Sequence, residues 1–175
     1  MTASGKIELM APAGNFESLQ AAIDNGADSV YFGVEQLNMR ARASINFTMD
    51  DLVEIANRCE PKGIRTYLTL NTIIYDHDLS VVKTLLNKAK EANITAVIAS
   101  DQAVISMARG IGMEVHISTQ LNVTNIETIK FYSLFADTMV LSRELSLRQV
   151  KKITEQIEKE QIKGPNGKLV EIEIF

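Results

Sequence analysis

The sequence predicts an α/β protein built as a parallel (β/α) barrel of the TIM type that is incomplete, with about six βα units and a seventh strand. Short β-like runs alternate with amphipathic runs along the chain, at the spacing of a parallel βαβ crossover. Several β-like runs are apolar only at every second residue, which predicts one face under helices and a polar face toward a barrel interior. A doubly wound open sheet is the alternative, but its strands would be apolar on both faces.

The N-terminal half contains three strand–helix units, and capping residues mark the helix boundaries. Asn15 and Thr48 stand where a side-chain oxygen accepts hydrogen bonds from the first free helical N–H groups. Gly26 stands where a helix ends, because glycine adopts the left-handed conformation that terminates helices. The predicted elements are a strand at 7–14, a helix at 15–26, a strand at 28–35, a helix at 48–59, a strand at 64–74 and a helix at 78–93.

The C-terminal half repeats the same alternation with shorter connections. The strand "AVIASD" runs directly into the helix "QAVISMARGIG", and the turn "KGPNGK" leads into a last strand, "KLVEIEIF". The predicted elements are a strand at 96–101, a helix at 102–112, a strand at 114–124, a helix at 125–136, a strand at 138–145, a helix at 146–160 and a strand at 168–175.

Alternation along the strands predicts which side chains face the barrel interior. In the fifth strand Val115 and Ile117 are expected under helices, while His116 and Ser118 face inward. The same alternation is expected to continue along this strand, with Leu121 and Val123 outward and Gln120 and Asn122 inward. In the last strand Val170, Ile172 and Ile174 are expected outward, and Glu171, Glu173 and Phe175 inward.

Length and composition describe one globular domain spanning 1–175. The chain has 175 residues, 46% of them hydrophobic and 23% charged, and a net charge of −4 that does not favour a surface coated by nucleic acid. No apolar run is long enough to cross a membrane, and no signal peptide is recognisable. The single cysteine, Cys59, fits a reducing compartment, so we expect a cytoplasmic protein.

Polar residues at the predicted strand ends indicate a ligand site at the barrel mouth, because active sites of parallel barrels lie at the C-terminal ends of the strands. Arginine pairs with carboxylates and phosphates, so this rim predicts a polar, anionic ligand. The candidate ligand-binding residues are Arg40, Arg42, Asn71, Asp101, Ser118, Gln120, Asn122, Arg143, Glu144 and Glu173.

Each candidate also has a structural interpretation. The polar residues of "STQLN" could fill a narrow barrel as a hydrogen-bonded network, and His116 could be a satisfied core histidine. Arg143 and Glu144 could form an ion pair or a helix cap, and the two loop arginines could be solvated. No metal-ligand spacing, nucleophile elbow or dinucleotide fingerprint is present, so catalytic residues stay unassigned.

Five segments together resemble the peptidase U32 family. They are "ELMAPAG" on the first strand, "NGADSVYFG" into the second, "HISTQLNVTN" on the fifth, "VLSRELSL" on the sixth and the closing "EIEIF", which resembles the start of the family's signature. The "EIEIF" and "RELSL" segments look most similar to the branch that hydroxylates tRNA uridine. The resemblance covers essentially the whole chain, which it identifies as the N-terminal barrel portion of a longer protein, whether by design or by an early stop.

The resemblance implies two activities for that longer protein. Family members were first described as collagenase-like proteases, and several act in prephenate-dependent hydroxylation of tRNA wobble uridine, ribosomal RNA or a ubiquinone precursor. Hydroxylation of tRNA is the expected function here, with proteolysis and a non-catalytic binding module as alternatives. By the same resemblance, Arg40 and Arg42 match a pair of arginines expected to bind an anionic donor such as prephenate, or RNA phosphate.

The resemblance also implies an iron–sulfur cofactor outside this segment. In the hydroxylation branch a 4Fe–4S cluster is held by cysteines that follow the signature, beyond Phe175. Such clusters take several thiolates, and this chain has one cysteine. We therefore expect no cofactor in this segment and no activity of the segment when alone. A separate expectation is dimerisation, because the unfinished barrel has open strand edges.

Overall fold

The computed structural model describes residues 7–34 and 47–175. Seven parallel strands pair in sequence order into one sheet, which curls into a half-barrel and confirms the predicted incomplete parallel barrel. The strands are β1 (Met10–Pro12), β2 (Ser29–Gly33), β3 (Arg65–Leu70), β4 (Ala96–Ala99), β5 (Glu114–Ile117), β6 (Thr138–Val140) and β7 (Glu171–Glu173).

A helix connects each strand to the next, and the predicted caps are present. The Asn15 side chain accepts the Ser18 N–H at 2.8 Å, and Thr48 caps the short 3₁₀ turn that leads into the second helix. Gly26 has a left-handed φ of 82° just after the first helix. The helices are α1 (Phe16–Asp24), α2 (Leu52–Cys59), α3 (Leu79–Glu91), α4 (Gln102–Gly110), α5 (Ile126–Tyr132) and α6 (Leu147–Glu160).

The predicted two-faced strands are confirmed by burial. Outward residues such as Phe32 and Leu70 are buried in the large apolar core between the sheet and the helices. On the inner face Tyr67, Ala96 and Ile98 form a separate, much smaller apolar cluster. The interior is therefore lined by few apolar groups, which leaves room for the polar side chains that form the site.

The predicted fifth strand at 114–124 is too long. β5 ends at Ile117, and a 3₁₀ turn (Thr119–Leu121) follows, closed by Asn122 with a left-handed φ of 50°. The Asn122 N–H donates to the Thr119 carbonyl at 3.0 Å, and asparagine tolerates this conformation better than most residues. Strict alternation beyond Ser118 is therefore wrong, and Gln120 and Asn122 do not share a strand face.

One outward residue of the last predicted strand also departs from the prediction. Ile174 is expected under a helix but is 59% exposed, and it lies just beyond the end of β7. Ile7 and Leu9, before β1, are likewise exposed. Val170 is buried as expected. Dimerisation through the open strand edges stays a prediction.

A buried carboxylate fixes the turn that delivers β7 to the sheet. Asp137 is 6% exposed, and its Oδ1 accepts the Asn166 N–H at 2.9 Å, while its carbonyl accepts the Glu171 N–H at 2.9 Å. Gly164 lies against the same residue: a Cβ there would stand 2.6 Å from Asp137 Oδ1 and 2.9 Å from its Cα. The turn thus needs glycine at this position, and it sets the register of β7.

No helix within the described ranges has both the length and the apolar character that crossing a membrane requires. Cytoplasmic location stays a prediction.

We expect Gly164→Ala to lower the free energy of unfolding by about 1–3 kcal/mol, because the added methyl group overlaps the backbone of Asp137. Gly110→Ala, at the end of α4, is the matched control: its Cβ would meet open space, and alanine should stabilise the helix by about 0.5–1 kcal/mol. Urea denaturation of both variants measures the difference. If Gly164→Ala does not lower the free energy of unfolding relative to Gly110→Ala, the turn relaxes around the methyl group and the expectation is wrong.

Candidate functional site

A cavity opens at the C-terminal ends of the strands, where active sites of parallel barrels lie. It combines amide, hydroxyl and carboxyl groups with two aromatic rings and two aliphatic side chains. The lining residues are Tyr31, Thr69, Asn71, Ile98, Ser118, Thr119, Val140, Glu173 and Phe175. Three predicted site residues, Asn71, Ser118 and Glu173, are therefore brought together here.

An amide–hydroxyl network forms one wall of the cavity. The Asn71 amide donates to Gln120 Oε1 at 3.1 Å and to Ser118 Oγ at 3.4 Å, and the Ser118 hydroxyl donates to Gln120 Oε1. The 3₁₀ turn after β5 carries Gln120 back over the end of β3, which explains the contact with Asn71. Gln120 thus joins the site through the turn rather than through strand alternation.

The floor of the cavity contains three buried polar atoms that have no hydrogen-bond partner in the part of the chain that the structure describes: Thr69 Oγ1, His116 Nδ1 and Glu173 Oε2. The register of the sheet explains the cluster, since Thr69 pairs with Ile98 and Ile98 with His116 across β3, β4 and β5. His116 Nδ1 lies 4.0 Å from Glu173 Oε2. Buried polar groups without partners are uncommon, and each marks a position where water or a ligand would bind.

The electrostatics of the floor depend on the His116 imidazole, which is 3% exposed and lies tilted against the Tyr67 ring, 4.6 Å between centroids. Its Nε2 lies 3.1 Å from Glu114 Oε1, and this hydrogen bond holds the pKa of Glu114 below its usual value. Burial raises the pKa of Glu173, and the nearby His116 opposes this only partly. Two carboxyl groups on opposite sides of one imidazole are therefore pushed toward different protonation states.

Polar pairs close the interior below the floor. Arg65 forms an ion pair with Glu8, and the Tyr67 hydroxyl donates to Glu8 Oε1 at 2.8 Å. Burial raises the pKa of Tyr67, so its hydroxyl stays a donor at neutral pH. Glu8 lies within the predicted strand at 7–14, but its cluster with Arg65 and Tyr67 was not predicted. The available signal was a charged residue at an inward position, which requires a partner.

The other predicted residues lie around the mouth, mostly with structural contacts. Asp101 caps α4 by accepting the Ala103 N–H at 2.8 Å. Glu144 accepts the Ser142 hydroxyl, and this bond lowers the pKa of Glu144. The Arg143 guanidinium lies 6.0 Å from the Phe175 ring at the rim. Asn122 is exposed. Arg40 and Arg42 lie outside the described residues, and a ligand-binding role for these six residues stays a prediction.

The described residues do not fit an iron–sulfur cluster. Cys59, the last residue of α2, is fully buried in the apolar core, and burial raises the pKa of its thiol to about 11, which disfavours the thiolate that a cluster needs. Within 7–34 and 47–175 no group of three or more histidine, cysteine, aspartate or glutamate side chains could hold a metal ion.

Comparison with known proteins gives one family. The family model of peptidase family U32 matches residues 14–175. A collagenase of Porphyromonas gingivalis is 54% identical over 168 residues, which are 96% of this chain and 41% of that protein. A tRNA hydroxylation protein of Bacillus subtilis is 31% identical over 156 residues, 87% of this chain and 37% of that protein.

A third relative is the Escherichia coli 23S rRNA 5-hydroxycytidine synthase, 32% identical over 151 residues, 86% of this chain and 23% of that protein. The relatives thus include both collagenase-like proteins and RNA hydroxylation proteins. The chain spans about two fifths of the length of the first two relatives, and less of the third.

Solved structures agree on the fold. A U32 peptidase superposes with a TM-score of 0.69 over 89% of this chain and 67% of that chain, at 15% identity. A tryptophan synthase alpha chain of Legionella pneumophila superposes with a TM-score of 0.60 over 98% of this chain and 72% of that chain, at 16% identity. At these identities the likeness concerns the barrel architecture alone.

We expect Thr69→Val to raise the free energy of unfolding by about 1 kcal/mol, because the substitution removes a buried hydroxyl that has no partner. Thr66→Val on the same strand is the matched control, since Thr66 Oγ1 accepts the Thr95 N–H at 3.2 Å and its loss should destabilise the chain. Urea denaturation distinguishes the two. A loss of stability in Thr69→Val similar to that in the control would mean that water satisfies the Thr69 hydroxyl.

The raised pKa of Glu173 predicts a pH dependence. The folded state keeps this proton to higher pH than the unfolded state, so the contribution of Glu173 to stability falls as pH rises above 4.5 and through the raised value. Glu173→Gln removes that fall, and its stability relative to wild type should increase between about pH 4 and pH 8. Glu171→Gln, on the same strand and outside the cavity lining, is the control. A pH-independent difference for Glu173→Gln would contradict the raised pKa.

Proposed function

This chain belongs to peptidase family U32, and on that premise we propose that it is the N-terminal barrel portion of an enzyme that hydroxylates a tRNA base. The observation that carries the proposal is the cavity at the C-terminal ends of the strands, with Asn71, Ser118 and Glu173 on its walls and floor. Relatives named for tRNA and rRNA hydroxylation match most of the chain.

The cavity suits the recognition of a polar ring better than the binding of an extended chain. Tyr31 and Phe175 offer aromatic faces 6.4 Å apart between ring centroids, and the Asn71 network supplies directional hydrogen bonds. Proteins that modify a base hold it against aromatic or apolar side chains and bind its edge by hydrogen bonds. The wall and floor provide both kinds of contact.

We assign the anionic partners to the rim. Arg143 is the basic residue near the Phe175 ring, and Arg40 and Arg42 are proposed to bind an anionic donor such as prephenate, or RNA phosphate. A 4Fe–4S cluster would have to be held by residues outside this chain. The full-length protein would then act in the cytoplasm on tRNA, and this segment alone would be inactive.

Proteolysis is the second candidate, and one observation favours it: identity to the collagenase of Porphyromonas gingivalis is 54%, against 31% to the Bacillus subtilis hydroxylation protein. A peptide would have to lie across the same mouth. Hydroxylation should require the positive charge of Arg40 and Arg42, because RNA and an anionic donor are negatively charged. Proteolysis should not require it, because a neutral peptide carries no such charge.

The first test is mass spectrometry of tRNA from a deletion strain complemented with full-length variants. We expect the deletion to lose hydroxylation of wobble uridine, and the double variant Arg40→Ala/Arg42→Ala to restore less than a tenth of the wild-type level. Arg148→Ala, an exposed arginine of α6, is the control and should restore it fully. Unchanged hydroxylation in the deletion strain would overturn the proposal.

The second test is gelatin cleavage by the purified full-length protein. The proposed hydroxylation function predicts no cleavage by the wild type. Cleavage by the wild type and equally by Arg40→Ala/Arg42→Ala would favour proteolysis. Neither cleavage nor hydroxylation would support a binding module without catalytic activity.

A further inference from the structure

We propose that the cavity floor, formed by Thr69, His116 and Glu173, binds the hydrogen-bonding edge of an uncharged cyclic amide or imide and rejects anions. This inference deepens the proposed function and rests on it, because it names the chemical class of the group that enters the cavity. It concerns the floor alone, and the anionic partners proposed above bind at the rim.

The floor has hydrogen-bonding capacity that the protein itself does not use. Thr69 Oγ1, His116 Nδ1 and Glu173 Oε2 are each buried and without a partner, and two of them belong to residues that line the cavity. His116 is 3% exposed, and its Nδ1 is 4.0 Å from Glu173 Oε2, too far for a direct hydrogen bond. Two adjacent polar groups of one ligand would satisfy both.

The hydrogen bond to Glu114 decides which ring nitrogen of His116 carries the proton. Glu114 lies 3.1 Å from Nε2 and accepts the proton that this nitrogen carries, and in that tautomer Nδ1 is an acceptor. Glu173 is buried, and burial favours its protonated form, which donates. The floor therefore presents an acceptor beside a donor, which complements the adjacent N–H and C=O of a cyclic amide.

Charge on the surrounding groups opposes an anion at the floor. Among the residues in 7–34 and 47–175, none that lines the cavity is basic. The carboxylate of Glu114 lies 3.1 Å from His116, and Arg65 below is paired with Glu8. A buried anion without a cation is costly, so an uncharged ligand is preferred.

The cavity walls favour a flat ligand. Ile98 and Val140 provide apolar contact on β4 and β6, and Tyr31 and Phe175 provide rings near the mouth. Apolar walls with a few convergent polar atoms are typical of small-molecule sites. The polar edge would point to the floor and the remainder of the molecule to the rim.

The test uses the 175-residue chain and two probes that share one ring, uracil and its 6-carboxylate, orotate. The chain has two histidines, and ¹⁵N NMR of their rings reports hydrogen bonding at each nitrogen. We expect uracil to shift the Nδ1 signal of His116 and to leave the signals of His77, whose side chain is 80% exposed, unchanged. Orotate should bind at least about tenfold more weakly.

Variants separate the floor from the rest of the fold. Thr69→Val and Glu173→Leu should each weaken uracil binding about tenfold, because each removes a hydrogen bond to the ligand. Glu173→Gln keeps a donor and should bind within about threefold of wild type, and Glu171→Gln should bind like wild type. Backbone amide spectra confirm that each variant is folded.

Two outcomes would overturn the inference. If uracil leaves the His116 Nδ1 signal unchanged up to its solubility limit, the floor holds only water. If orotate binds as tightly as uracil, the selection against anions is wrong. The two proposals can fail separately. If uracil shifts the His116 Nδ1 signal but the deletion strain keeps its tRNA hydroxylation, the uracil site is retained and the proposed hydroxylation function is rejected.

Discussion

Parallel pairing of the seven strands imposes the constraint on which the other features of this chain depend. Each strand must bury one row of side chains under helices and turn the other row into a narrow interior. Phe32 and Leu70 follow this rule on the outside, and Tyr67 and Thr69 follow it on the inside. Every polar residue at an inward position is thereby removed from bulk water and needs a partner.

The interior meets this need differently at its two ends. Toward the base, Glu8 accepts from Tyr67 and pairs with Arg65, so the polar groups there satisfy each other. Toward the C-terminal ends of the strands, His116 uses one nitrogen for Glu114 and leaves the other facing Glu173 without a bond. Buried polar groups that bond to each other, as at the base, indicate a structural network. Buried polar groups without partners, as at the other end, indicate a binding surface.

Evidence for the family and evidence for the reaction come from different sources. The family follows from the match over residues 14–175 and from relatives that share most of this chain. The choice between hydroxylation and proteolysis depends on what enters the cavity. Sequence identity is higher to the collagenase, whereas the amide network and the buried carboxyl group of Glu173 suit a ring with a hydrogen-bonding edge. Fold and family membership are compatible with both hydroxylation and proteolysis, and the chemistry of the site must decide between these two reactions.

The sequence by itself determined the order of the elements, the two faces of each strand and the inward position of Glu173, because a period of two is visible in the residues. Only the tertiary structure decided that Asp101 caps a helix and that Gln120 joins Asn71 through a turn. Both outcomes depend on backbone that leaves the extended conformation just beyond a strand, where alternation carries no information. The sequence likewise could not predict that His116 Nδ1 lacks a hydrogen-bond partner among the described residues, because this depends on distances between strands that are far apart in the chain.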